Sequence, residues 1–199
     1  MKKMSKMDIV FLLDRSGSMR GIENDTIGGY NSYIESQKNN NVSVTTVLFD
    51  DKYEMLTNRC DIKNIKPLDR KKYYVRGCTA LLDAIGETIN YMDKEKAKKV
   101  IFIITTDGLE NASKKFDKKQ IREMIEGHKN FEFMYIGADI DSYSEGSSLG
   151  ISEKNISNYQ KDSDGVCCLY RCISRASKAF YEGDTISEDW KEELESKSM

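Results

Sequence analysis

Two stretches of the chain are almost wholly apolar and β-branched: residues 9–13, Ile-Val-Phe-Leu-Leu, and residues 100–104, which run on into Thr105 and Thr106. Strands buried on both faces read this way, so both predict a parallel sheet covered by helices. Residues 131–136 predict a third strand, and residues 42–49 a partly alternating fourth. Asp50-Asp51-Lys52 can then turn the chain into residues 53–57, a hairpin that sets one antiparallel strand at an edge.

Helical periodicity fills the intervals. Ile27, Tyr30 and Ile34 mark one face of a helix that Gly28-Gly29 weakens. Leu81, Ile85, Ile89 and Met92 repeat at helix spacing, and Ile121, Met124 and Ile125 make a shorter stripe. Val166, Leu169, Ile173, Ala176 and Phe180 mark a long helix near the C-terminus, opened by the capping residues 162–164. Such alternation of strands and helices implies right-handed crossovers and a doubly wound α/β sheet. The expected organisation is one domain over residues 1–183 and a charged tail over residues 184–199, which Trp190 can anchor.

Composition narrows the class. The chain has 199 residues, enough for one domain with a real core. Lys+Arg 31 against Asp+Glu 33 leaves a net charge of -2, which gives no reason to expect nucleic acid or an anionic membrane as partner. Residues 1–7 are basic like the start of a signal peptide, but the apolar run after them is too short and ends at Asp14-Arg15. No stretch is long enough to span a bilayer, and a cytoplasmic location is expected. The five cysteines include no CxxC pair, and a single histidine, His128, joins them. Free thiols in a reducing compartment are expected, with Cys167, Cys168 and Cys172 on a helix as small hydrophobes, and no zinc site. His128, at a helix end where a cation suits the dipole, is read as structural.

The acidic residues collect where chemistry can use them. Asp14 follows the first buried strand, Asp107 follows residues 100–106, and Asp139 lies just past Ile136-Gly137. Ligands of open parallel sheets bind at the carboxyl ends of the strands, so three carboxylates on that rim invite a cation. Helix capping is the competing cause for any one of them. In Asp14-Arg15-Ser16-Gly17-Ser18, one carboxylate and two hydroxyls fall at every second position, and Gly17 lets the loop curl so that all three face one point. Hard oxygens of this kind suit Mg²⁺ better than zinc.

Residues 11–19, containing that Asp-x-Ser-x-Ser run, resemble the signature of the von Willebrand factor type A (VWA) domain. Gly77-Cys78-Thr79-Ala80-Leu81-Leu82-Asp83-Ala84 resembles the family's G-x-T-x-L-x-D-A loop, and Thr105-Thr106-Asp107-Gly108 its TDG turn. The similarity covers roughly residues 5–181. It implies a six-stranded sheet in the order 3-2-1-4-5-6, mostly parallel with one antiparallel edge strand. It also implies a metal-ion-dependent adhesion site in which Ser16, Ser18 and Thr79 offer hydroxyls, and Asp14 and Asp107 bind Mg²⁺ or Mn²⁺ directly or through water. An Asp or Glu of a partner protein completes such a site, and the family couples its geometry to a shift of the last helix. Asp139 is assigned no metal role. No catalytic residue is assigned either.

Two alternatives stand beside this reading. A metal-dependent phosphate-processing enzyme would resemble the haloacid-dehalogenase group, but that group needs a second Asp where this chain has Ser16. A metal-independent assembly subunit would use the Lys-rich runs at 63–72 and 94–99 for docking, although such runs are more often solvated faces. Thr79 and Ser18 also have a plain alternative role as helix caps.

Overall fold

The computed structural model describes residues 7–198, and the basic residues before Met7 lie outside them. Six strands form one sheet: β1 (Met7–Asp14), β2 (Val42–Phe49), β3 (Tyr53–Asp61), β4 (Val100–Thr106), β5 (Phe131–Gly137) and β6 (Ile156–Asn158). Their order is β3-β2-β1-β4-β5-β6, as expected. Every pairing is parallel except β2 with β3. The helices are α1 (Glu23–Gln37), α2 (Leu81–Lys94), α3 (Lys118–Gly127), α4 (Ser142–Ser148), α5 (Ser163–Glu182) and α6 (Glu192–Ser198).

Alternate residues of the central strands feed two cores. Ile9, Phe11, Leu13, Ile101 and Ile103 pack with Tyr30, Tyr33 and Ile34 of α1 and Val166, Leu169 and Ile173 of α5. Val10, Leu12, Phe102 and Ile104 pack with Leu81, Ile85, Ile89 and Met92 of α2 and Ile121 of α3. β1 and β4 are buried along their whole length, which explains why neither shows a polar face in sequence. Each fully buried Leu or Ile here contributes about 1.5–3 kcal/mol relative to exposure. The glycine pair in α1 has a packing cause: a Cβ on Gly29 would lie 2.0 Å from the Tyr170 ring of α5. Glycine there lets the two helices approach closely.

β3 extends to Asp61 rather than ending at 57. It pairs with β2 through register shifts between Val44 and Val47, and Arg59 sits in the left-handed region at φ 39°. That backbone sets up a forked ion pair, Arg59 Nε and Nη2 at 2.8 and 2.9 Å from the two oxygens of Asp8. Past α5, Trp190 is 4% exposed and Leu194 fully buried against the same core as α1 and α5. Trp190 Nε1 donates to the Lys154 carbonyl at 2.9 Å, and the Lys191 ammonium donates to the carbonyls of Glu153 and Ile156. These bonds hold α6 beside the short edge strand β6.

Candidate metal centre at the sheet rim

The loop after β1 is organised by its own carboxylate. Asp14 is fully buried; its Oδ1 accepts the Ser16 N–H and its Oδ2 accepts the Thr106 hydroxyl, each at 2.6 Å. The Tyr73 hydroxyl donates to the Asp14 carbonyl at 2.6 Å. A short 3-10 turn, Gly17–Met19, carries the chain on, and the hydroxyls of Ser16 and Ser18 stand 2.9 Å apart. Gly17 is not in the left-handed region, so the curl expected of it comes instead from the turn bond of Met19 N–H to the Ser16 carbonyl.

Thr79 arrives on the loop before α2 and is 2% exposed. Its N–H donates to Asn111 Oδ1 at 2.9 Å, and its carbonyl accepts the Asn111 N–H at 3.0 Å. It does not cap α2. The cap residue is Ala80, and the free N–H groups of Leu82 and Asp83 go to Glu110 Oε2 and Ser113 Oγ. Glu110 in turn accepts the N–H groups of Ala112 and Ser113 and the Ser113 hydroxyl, so one carboxylate organises that whole turn. Nor does Ser18 cap α1, whose N-cap is Ile22.

Asp107 and Gly108 complete the rim after β4. Asp107 is 5% exposed. Its Oδ1 has no hydrogen-bond partner among the described residues, and its Oδ2 lies 2.6 Å from the Lys161 ammonium, at ion-pair distance but out of line for a hydrogen bond. Gly108 marks a cradle. A Cβ built there would stand 2.7 Å from Thr79 Oγ1, 3.1 Å from Ser18 Oγ and 3.5 Å from Ser16 Oγ. Three hydroxyls from two loops therefore face one point, and the residue before Gly108, Asp107, carries a buried carboxylate oxygen without a partner among the described residues. Asp139 is exposed, at φ 55°, with its Oδ2 3.8 Å from the Lys161 ammonium, and α4 is capped by Asp141.

Burial pushes the Asp14 carboxyl up to about 6, against the hydrogen bonds from Thr106 and Ser16, and the charge of Asp107 adds to the rise. Two carboxylates thus lie buried at the rim, one of them paired with an ammonium. The donor set of hydroxyl and carboxylate oxygens fits a hard divalent cation. A second grouping, Cys168, Cys172 and Glu193, has ligand atoms within 4.8 Å of one another. Burial raises the Cys172 thiol to about 11, and Arg171 and Arg175 already engage Glu193, so that grouping suits a cation poorly. All five cysteines are free thiols, with Cys167 exposed rather than packed.

Lys161, Thr106 and Glu110 are the contributors that motif reading passes over. Thr106 lies inside the TDG turn, where its hydroxyl is a natural partner for Asp14. Lys161 carries no local signal.

A family model described as von Willebrand factor type A domain matches residues 9–110. None of the curated proteins matches the chain. Among solved structures, proximal thread matrix protein 1 from the mussel byssus, with its MIDAS motif occupied by zinc, superposes with a TM-score of 0.63 at 16% identity. That match covers 87% of this chain and 46% of that one. The PilB minor pilin of Streptococcus sanguinis gives 0.68 at 10% identity, covering 91% and 63%. The pilus adhesin SpaC of Lactobacillus rhamnosus GG, in an open conformation, gives 0.70 at 14%, covering 87% and 30%. The chain spans less than two thirds of each of these structures, and at such identities the likeness is one of fold. No helix among the described residues is long and apolar enough to cross a membrane. A pilin and an adhesin among the neighbours lend no support to the cytoplasmic location expected above.

Proposed function

The chain belongs to the von Willebrand factor type A domain family, and from that premise we propose that its rim is a metal-ion-dependent adhesion site. In this reading Asp14, Ser16, Ser18, Thr79 and Asp107 hold Mg²⁺ or Mn²⁺, and an Asp or Glu of a partner protein completes the coordination. The observation that carries it is the cradle at Gly108, three hydroxyl oxygens within 3.5 Å of one point, following directly on Asp107, whose Oδ1 is unpartnered among the described residues. Unpartnered buried carboxylate oxygens are costly, and a cation is the natural remedy.

The chain's own residues divide the work. Asp14 is held rigidly by Thr106 and the Ser16 N–H, which fixes the first loop before any ligand arrives. Asn111 holds the Thr79 backbone, and Glu110 accepts the Leu82 N–H at the start of α2, which leaves the Thr79 hydroxyl free of capping duty. A cation bound there supplies positive charge that three neutral hydroxyls leave uncancelled, so an acidic side chain is attracted more strongly in the partly dry crevice than in bulk water. The result is a binding module rather than a catalyst.

Melting curves with Mg²⁺, with Mn²⁺ and with EDTA test the reading. Either metal should raise the melting temperature of the native chain, and Ser16→Ala should remove the rise. Identical curves in all three conditions would overturn it. Parallel capture from the native lysate with Mg²⁺ and with EDTA tests the partner's dependence on the metal, and a partner retained equally in both would refute that part.

A further inference from the structure

We infer that Lys161 is a tethered cation that occupies the metal's electrostatic place at the rim and must leave when a divalent ion enters. The inference rests on the metal reading above and adds a regulator that none of the family motifs contains.

Lys161 lies in the short connection between β6 and α5. Its ammonium stands 2.6 Å from Asp107 Oδ2, donates to the Ser18 carbonyl at 2.6 Å, and lies 3.8 Å from Asp139 Oδ2. One side chain thereby ties together the loops that follow β1, β4 and β5. The Asp107 carboxyl group is wholly shielded from solvent, whereas the Lys161 side chain keeps 22% of its surface exposed. A buried acid is thus neutralised by a base that still has a way out to water.

The chemistry of the contact decides its role. Asp107 is one of two buried carboxylates in the crevice, and a buried carboxylate without a counter-charge is strongly unfavourable. The ammonium meets that need when no metal is bound. A divalent ion held by the same carboxylate would sit within a few ångströms of the ammonium, and two cations at that range in a partly dry site repel strongly. The lysine is long, unbranched and joined to a loop, so it can swing out without unfolding any element. The metal affinity is therefore set partly by a competitor that the chain itself supplies. The Ser18 carbonyl, released together with Asp107, gives the exchange a second consequence: the first loop loses its link to the β6–α5 connection whenever metal is loaded.

Mn²⁺ affinity of the native chain, Lys161→Met and Lys161→Arg, followed by electron paramagnetic resonance of the free ion, gives the test, together with melting in EDTA. Lys161→Met keeps the length and removes the charge. It should bind Mn²⁺ at least tenfold more tightly than the native chain, and melt lower in EDTA because Asp107 has lost its counter-ion. Lys161→Arg should stay near native on both counts. Equal or weaker Mn²⁺ binding by Lys161→Met, with the native chain binding normally, would overturn the lysine's role and leave the metal site standing. Absence of Mn²⁺ binding in both would sink the metal site and this inference with it. If Lys161→Met does not fold, reductive methylation of the native chain read by mass spectrometry decides the matter. Labelling of Lys161 should rise several-fold on adding Mn²⁺ while that of Lys114 stays constant, and unchanged labelling would refute the displacement.

Discussion

Asp50 and the pair Asp14 and Asp107 sit on one rim, at the ends of neighbouring strands, and are treated in opposite ways. Asp50, just past β2, takes Arg15 Nε at 2.8 Å and Arg76 Nε at 2.6 Å on one oxygen and the Lys52 N–H at 2.7 Å on the other. Burial raises its carboxyl, but those bonds and the Arg15 charge outweigh burial and hold it below the ordinary carboxylate range. Arg15 reaches on to Glu54, and both guanidiniums lie over the Tyr74 ring at 5.4 Å. Asp14, in contrast, is pushed up to about 6, and Asp107 keeps an oxygen with no partner. A saturated acid makes a brace; in the proposed reading, the unsaturated Asp107 makes a place for a ligand. Both use the same loop: Asp14, Ser16 and Ser18 turn to one side, and Arg15 between them turns to the other.

Substitutions separate the brace from the proposed ligand site. The largest effect should come from Asp50→Ala, which leaves the buried Arg15 without its main partner and should remove about 3–5 kcal/mol of stability in urea unfolding. The loss should be the same with Mg²⁺ and with EDTA. A metal-dependent loss would mean that the brace and the ligand site are one unit. Asp14→Asn comes next. It should abolish the metal-induced gain, about 2.7 kcal/mol at a metal concentration 100 times the dissociation constant, and change the metal-free melt far less. Gly108→Ala places a methyl in the cradle, 2.7 Å from Thr79 Oγ1. Isothermal titration should then report metal binding weakened at least tenfold, about 1.4 kcal/mol, with the fold retained. The smallest effect belongs to Glu54→Gln. Its side chain is 48% exposed, so losing its pair with Arg15 should cost about 1 kcal/mol or less in the same unfolding assay.

The strands, the helices and the ligand motifs are legible in the amino-acid order alone, whereas the bracing of Asp50 is not. β1 and β4 stand out because burial on both faces leaves no polar positions, and the helices because their stripes repeat at 3.6 residues. Asp14, Ser16, Ser18, Thr79 and Asp107 can be named from local motifs. Their convergence cannot, because it depends on the strand order. Arg15 looks like the charged end of an apolar run, and only the topology sets it against Asp50, just past the neighbouring strand. Thr79 is a natural cap by residue type, yet Glu110 fills that role from a different loop. β3 reads short because Asn58 and Arg59 are poor strand formers, and the three residues of β6 are too few to show a period. The Arg15 and Thr79 misses are tertiary pairings between separate segments, whereas those at β3 and β6 are local.

The C-terminal segment has a consequence for anyone who shortens or tags this chain. Residues 182–185 are exposed, whereas Trp190, Lys191 and Leu194 beyond them are buried against β6 and the α5 core. A single proteolytic cut in that stretch would let the indole plug drift away and bare the last strand of the sheet. The Glu153 and Ile156 carbonyls would lose the Lys191 donor that now satisfies them, and the Lys154 carbonyl its bond from the indole.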